Sequence, residues 1–379
     1  MMKNVLILNH RNVYSGAEKV MVDTLRDPPA NVEFDVIVPI ASRLKDELKG
    51  IKDVSVHDIK LSSLSEVGVL AYISEIISSN LYVIKLVNNQ KTDVIHANTF
   101  YSAMRFLFSL IYSRLFGVLT VWTLHDIRLN VSRRIFHILV IACLSRTIVV
   151  SDAVLKSVHT GINLIDKKIS KIYNAISSTE FKSIDDVMLS ENFATSFFSI
   201  GMITRWKGQL ELVKAWSQWC HELKMTPDFS KLVIIGDLKN DAIYSAEVIA
   251  NAKQANHCKI NFSGYLRKPF EYLSGQGFFV HSSRDPDPLP TVILEAIANG
   301  LIPFCSLDGG AAEMLPKHLR PLLTYDVNII HEENLLLRSK NFTETQYRHV
   351  VNELQNYLRE KFNIRQRNQS LKSIYFEYS

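Results

Sequence analysis

The sequence predicts an α/β protein made of two doubly wound parallel-sheet domains. Three observations carry that prediction. Short β-branched and apolar runs alternate with longer amphipathic stretches, the βαβ pattern of a sheet buried on both faces. The pattern fills the first half of the chain and then repeats in the second. The length, 379 residues, suits two domains at roughly 100–200 residues each.

In the first half the strand-like runs are 5–9, 34–39, 54–59, 93–97, 119–125 and 147–151, most of them separated by helix-length segments. In the second they are 197–203, 231–236, 259–264, 277–283 and 301–306, with helical patterns at 209–223, 243–255 and 292–298. The polar, poorly periodic stretch 177–192 reads as a linker between an N-terminal domain, 1–176, and a C-terminal domain, 193–360. A charged helical pattern covers about 344–376, and its end, within 361–379, is expected to pack back on the N-terminal domain. Doubly wound sheets bind ligands outside the carboxyl ends of their strands, so two such domains facing each other would hold a ligand in the cleft between them.

Composition narrows the partners. A net charge of +5 is too small to argue for nucleic acid, but it suits an anionic substrate or an anionic membrane surface. The four cysteines are far apart with no C-x-x-C spacing, which argues against a disulfide framework or a zinc site and fits a reducing cytoplasm. The first residues lack the apolar core and cleavage site of a signal peptide. The longest stretch free of Asp, Glu, Lys and Arg is 13 residues, 192–204. A spanning helix needs about 20 mainly apolar residues, so none is expected.

The richest stretch is 281–300, which follows a strand. Pro290 suits a first helical turn and Asn299-Gly300 a helix end, giving a helix over about 290–298. Asp287 stands just before it and Glu295 within it. The helix start would offer free N–H groups and a partial positive charge to a diphosphate. Asp287 then accepts from sugar hydroxyls and Glu295 holds a ribose diol. A plain helix cap and a solvated helix residue account for the same two acids equally well.

This segment resembles the paired-acid signature, two acids eight residues apart and then Ala-x-x-x-Gly, of the retaining glycosyltransferases of family 4. Four further pieces fall in that family's order: Ser199-Ile-Gly-Met-Ile-Thr-Arg-Trp-Lys-Gly-Gln209, Val233-Ile-Ile-Gly-Asp237, Ile260-Asn-Phe-Ser-Gly264 and Asp308-Gly-Gly-Ala-Ala-Glu313. The resemblance covers nearly the whole chain. It implies the GT-B fold, two facing doubly wound parallel-sheet domains with a deep interdomain cleft. It also implies transfer from a UDP-, GDP- or ADP-sugar to a glycan or lipid-linked glycan, in surface polysaccharide biosynthesis, with retention and with neither metal nor cofactor. The alternatives are a non-catalytic nucleotide-sugar-binding protein, or an epimerase or phosphorylase on the same fold.

The resemblance assigns roles residue by residue. Lys207 and Arg205 clamp the leaving diphosphate, Asp287 meets the transferred sugar and Glu295 the ribose. Leu289, Thr291 and Val292 at the helix start, Gly264 near the base, and Gly309 and Gly310 complete the donor site, with Glu313 near the cleft or merely starting the next helix. In the first half, Gly16 and Glu18 belong to a loop bordering acceptor and diphosphate, although Ser15-x-x-Glu18 is also a capping box that needs no ligand. His125, followed by Asp126, would donate to a sugar hydroxyl. His96 is a weaker copy of that argument, and Asn174 marks a hinge or cleft edge. Four positions depart from the family: Asp287 replaces a glutamate, Met202 an arginine, Leu289-Pro290 a Phe-Gly pair and Asn174-Ala175 an Asn-Gly pair. They leave the donor open and permit a weakened enzyme.

A peripheral contact with the cytoplasmic face of an inner membrane is also open. Residues 104–123 are rich in Phe, Leu and Ile around Arg105 and Arg114, and Arg133-Arg134 precede another apolar run. Core helices on a parallel sheet look much the same.

Overall fold

The computed structural model describes residues 2–12, 14–127, 131–185, 188–255, 258–273 and 275–377, except the side chains of 131–133. It divides into two compact units, Met1–Ala175 with Ile364–Ser379, and Ile176–Asn363.

The first unit holds seven parallel strands, β1 (Lys3–Leu8), β2 (Val32–Pro39), β3 (Val54–Ile59), β4 (Val94–Ala97), β5 (Leu119–Leu124), β6 (Arg146–Val149) and β7 (Ile169–Lys171). Their order is β3-β2-β1-β4-β5-β6-β7, so the chain reverses direction across the sheet between β1 and β4. Parallel strands covered on both faces have no solvent side, which is why the runs are continuously apolar. Val5, Ile7, Val36, Val94 and Val121 form one core with Met21 and Leu25 of the helix Gly16–Arg26. The C-terminal helix Ile364–Tyr375 adds Leu371, Ile374 and Tyr375 to it.

The second unit holds β8 (Ser196–Ile200), β9 (Lys231–Ile235), β10 (Lys259–Gly264), β11 (Phe278–His281), β12 (Ile302–Ser306) and β13 (Thr324–Tyr325), ordered β10-β9-β8-β11-β12-β13 and all parallel. Phe197, Phe278 and Phe304 stack across its three central strands, with centroids 5.6 and 5.3 Å apart along the row. Trp216 of the helix Gln209–Glu222 covers Phe197 at 5.0 Å. Burying each ring contributes about 1.5–3 kcal/mol.

The eleven expected strand runs all become strands, with ends shifted by up to three residues. The two unexpected ones, β7 and β13, have three and two residues and lie at sheet edges, too short to leave a periodic signal. The charged pattern at 344–376 is two helices, Glu344–Lys361 and Ile364–Tyr375, and the break at Phe362-Asn363 coincides with the boundary between units. The stretch 177–192, expected as a linker, instead packs into the second unit, its residues 186–187 lying outside the described ones. Lys182 N donates to Ala298 O (2.8 Å), Gln355 Nε2 to Lys182 O (2.9 Å), and Ile184 is buried.

The expectation of no membrane-length apolar helix also needs correcting. The helix Val69–Gln90 is long and apolar enough to cross a membrane, by length and composition. A charge-free stretch was the wrong criterion, because Glu75 and Lys85 interrupt this helix without making it polar.

Tyr347, fully buried, ties the helix Glu344–Lys361 to the sheet. Its hydroxyl accepts from Gly277 N (2.8 Å) and donates to Gly300 O (2.6 Å). Tyr347→Phe leaves both backbone groups buried and unpaired, at a cost of about 1–3 kcal/mol. Calorimetry is expected to show a lower Tm for the second unit's transition, and an unchanged Tm would contradict the assignment.

Candidate functional site

In the second unit, β8 runs into a single 3₁₀ turn, Arg205–Lys207, closed by Gly208. Gly208 has φ +69°, and a Cβ there would lie 2.2 Å from Ser282 O. Only glycine lets this turn seat itself against the segment leaving β11. Two hydrogen bonds fix the seat, Arg284 N to Trp206 O and Ser282 Oγ to Lys207 O, both 2.8 Å.

That seat aims Lys207 at Asp287. Lys207 Nζ stands 2.6 Å from Asp287 Oδ2 and 4.1 Å from the centroid of the Trp206 ring. His281 Nε2 reaches the same oxygen at 3.3 Å. Asp287 is itself held by backbone: Gly310 N donates to Asp287 O (2.8 Å), and Gly309 bridges Asp287 at φ +81°, where a Cβ would strike Asp287 O at 2.4 Å. Burial disfavours the Asp287 charge, but the Lys207 ammonium and the His281 hydrogen bond outweigh it and hold the carboxyl well below its usual range. Burial pushes the His281 imidazole down, so it is neutral at pH 7 and donates from Nε2.

Three residues beyond Asp287, Pro290 caps the helix Thr291–Ala298 rather than opening it, one residue from its expected place. Leu289 is buried, while Thr291, Val292 and Glu295 are half-buried on the first turns. Gly264 ends β10 at φ +67°, and its carbonyl accepts from Gly236 N (3.0 Å). Lys207 thus meets Asp287, Gly309 and Gly310 hold Asp287, the helix start follows Asp287 in chain, and all lie past the carboxyl ends of strands. Arg205 does not join them. Its guanidinium pairs with Glu247 at 3.3 Å and lies over the Tyr244 ring. Glu313 sits in the 3₁₀ turn Ala311–Met314 that follows the two glycines.

In the first unit Ser15 caps the helix Gly16–Arg26, and Glu18 Oε2 accepts from Ser15 N (3.1 Å) and Ser15 Oγ, the capping box in full. That accounts for one oxygen only. Glu18 is fully buried and its Oε1 has no partner. Asn9, at the end of β1, repeats the situation: it is fully buried, its Nδ2 donates to Arg11 O (3.2 Å), and its Oδ1 is unpaired. His125 follows β5, with Nε2 shut off from solvent and unpaired. Burial and the nearby Arg367 guanidinium bring its pKa down to about 3, so it is neutral. Buried polar atoms without partners are rare and mark places for water or ligand. Here three lie at the carboxyl edge of one sheet.

His96 is different. Its Nδ1 pairs with Tyr375 Oη and its Nε2 with Thr123 Oγ1, both at 2.7 Å. Both nitrogens are used inside the fold, which makes it a structural histidine. Asn174 is buried two residues before the chain enters the second unit. Sequence reasoning missed Asn9, Arg367 and Tyr375. An asparagine ending a strand was the one available signal, while the two helix residues gave none.

Removing one partner of a buried ion pair costs about 3–5 kcal/mol. Asp287→Asn is therefore expected to lower stability by that order at pH 7. The Asp287 pKa is depressed in the folded state, so the stabilisation is present above the unfolded value of about 4 and fades as pH falls through the folded value. The stability gap between wild type and variant should begin to narrow below about pH 4 and keep shrinking as pH falls towards the folded value. A stability gap that stays constant with pH would contradict the pairing.

Two family models match the chain: "Glycosyltransferase Family 4" over residues 14–180 and "Glycosyl transferases group 1" over 189–329. None of the curated proteins matches the chain in sequence. Among solved structures, Anabaena HepE in complex with UDP and glucose superposes with a TM-score of 0.75 at 17% identity, covering 98% of each chain. A glycosyltransferase from Rickettsia africae gives 0.73 at 15% identity, covering 100% of this chain and 98% of that one. The apo form of the lipopolysaccharide outer core galactosyltransferase WaaB gives 0.68 at 15% identity, with both chains fully covered. At such identities the likeness shows the GT-B fold, and the two family models, which between them take in most of the sequence, place this chain among the group 1, family 4 glycosyltransferases.

Proposed function

We propose that this glycosyltransferase moves a sugar from a UDP-, GDP- or ADP-sugar to a glycan or lipid-linked glycan in surface polysaccharide biosynthesis, retaining the anomeric configuration and using no metal. The second unit takes the donor and the first the acceptor. HepE, solved with UDP-glucose, favours a UDP-sugar among the three.

The observation that carries the reading is the Lys207–Asp287 pair beside a helix start. An ammonium has three donors, and Asp287 engages one of them. The others point charge at the leaving diphosphate, with the start of the helix Thr291–Ala298 contributing its N–H groups and dipole. Fixed charge aimed at a departing anion lowers the barrier without reorganisation. The second Asp287 oxygen accepts from a hydroxyl of the transferred sugar, and Glu295 from the ribose diol. Arg205, held by Glu247, reaches the phosphates only by breaking that exposed pair, which costs little.

The acceptor hydroxyl attacks the anomeric carbon on the face the diphosphate leaves. The carbon–oxygen bond to the diphosphate breaks, the new glycosidic bond forms, and the β-phosphate oxygen takes the acceptor proton. No pair of carboxylates is required, unlike glycoside hydrolysis. In the first unit, neutral His125 donates to a sugar hydroxyl in this scheme, and Glu18 and Asn9 offer acceptors to hydroxyl protons.

Lys207→Ala should lower kcat for nucleotide release from UDP-glucose with an acceptor panel by about two orders of magnitude. Near-full activity would remove Lys207 from the mechanism. Conversion of the donor sugar without an acceptor would mark an epimerase instead, and tight binding without turnover a non-catalytic binder. Glu295→Ala should raise the Kd for UDP roughly tenfold, the size of one charge-assisted hydrogen bond, yet leave binding of 2′,3′-dideoxy-UDP unchanged. Equal losses for both ligands would place the ribose elsewhere.

A further inference from the structure

The helix Val69–Gln90 is apolar enough to be a core helix, yet only 17% of its most apolar stretch is buried. Its buried face carries its acid and a buried amide. Glu75 pairs with Arg105 (3.4 Å) and Lys60 (3.2 Å), and Asn80 donates to Arg105 O and accepts from Ser109 N, both 2.9 Å. Ser79, Val83 and Val87 complete that face. Leu70, Ile73, Ile77 and Leu81 recur at helical spacing on the opposite side, exposed by 85, 47, 54 and 61%. A soluble surface helix has this pattern inverted.

The neighbouring helices extend the exposed apolar surface. Val69–Gln90 packs on Leu107–Leu115, and Phe100–Arg105 packs on both Leu107–Leu115 and Val131–Cys143. Phe108 and Phe116 are about 70% exposed, and Phe136 and Leu139 more than half. Exposed patches of this kind mark docking surfaces. The charges are one-sided. Glu75 is the only acid in the helices Val69–Gln90, Leu107–Leu115 and Val131–Cys143, and it is buried in its ion pairs, whereas they carry Lys85, Arg114, Arg133 and Arg134. The Arg133 side chain lies outside the described residues.

We infer that this face of the first unit docks in the plane of an anionic lipid bilayer. Aliphatic side chains enter the acyl boundary while lysine and arginine meet acidic headgroups. Spanning is disfavoured, because it would strip the Glu75–Arg105 pair and the Asn80 hydrogen bonds from the protein. A second copy of the chain fits less well. A twofold interface sets the same patch against itself, bringing Lys85, Arg114 and Arg134 towards their own copies. The inference is independent of sugar transfer, since vesicle binding requires no nucleotide.

The test is sedimentation of the full chain with phosphatidylglycerol or phosphatidylcholine vesicles. Binding is expected to phosphatidylglycerol, weaker at high salt, and roughly tenfold weaker in both Ile73→Gln/Ile77→Gln and Lys85→Glu. Lys85→Glu removes no apolar contact, so it decides the matter should the double variant fail to fold. Three results would overturn the inference: no wild-type binding at low salt, equal binding to phosphatidylcholine, or binding unchanged by Lys85→Glu. A wild-type dimer that ignores vesicles and is broken by the same variants would assign the face to a second copy. A thermal shift with UDP, run on the same samples, keeps loss of lipid binding separate from failure of the donor site.

Discussion

A lysine and an aspartate withdrawn from water at 2.6 Å are the constraint around which the second unit's functional edge is arranged. Charges are costly to bury, and their attraction offsets that cost only when the geometry is held. The structure holds it from both sides. On one side Gly208 lets the Arg205–Lys207 turn press against the strand exit at Ser282. On the other, Gly309 and Gly310 clasp the Asp287 backbone. The two acid–base partners are 80 residues apart in sequence, and the parallel sheet brings them together because β8 and β11 are adjacent. The fold therefore creates the contact, and the glycines give it precision.

The two units handle charge at their strand ends in different ways. In the second, Lys207 and His281 Nε2 share the Asp287 carboxylate, while His281 Nδ1 is left buried without a partner. In the first, Asn9, Glu18 and His125 each keep one buried atom without a partner. An ion-paired cluster is preorganised, and an anion entering it meets an ammonium already fixed in place. An unsatisfied one is under tension that hydroxyl groups relieve. The first pattern suits a charged leaving group and the second a neutral, hydroxyl-rich molecule, which matches the division of labour proposed for donor and acceptor.

Much of this was legible in the sequence. β-Branched runs reveal buried parallel strands because no side of such a strand faces water, and the helix after Asp287 was readable from Pro290 and Asn299-Gly300 within a residue. The misses have physical causes. The strands β7 and β13 owe their existence to a neighbour's edge rather than to their own pattern. The break at Phe362-Asn363 hides inside continuous helical periodicity, because the two helices serve different cores. Arg205 reads as a phosphate ligand beside Lys207, yet Glu247, 42 residues on, takes its guanidinium. The helix Val69–Gln90 escaped notice because its two charges break the apolar run, and only the structure shows that Glu75 faces inward.

The central claim is that Lys207 and the start of the helix Thr291–Ala298 grip a nucleotide's diphosphate. A crystal structure with UDP tests it most directly. The account predicts the β-phosphate at hydrogen-bond distance from Lys207 Nζ, about 3 Å, with Glu295 on the ribose hydroxyls. A nucleotide bound with its phosphates away from Lys207, and the Lys207–Asp287 pair undisturbed beside empty solvent, would contradict it.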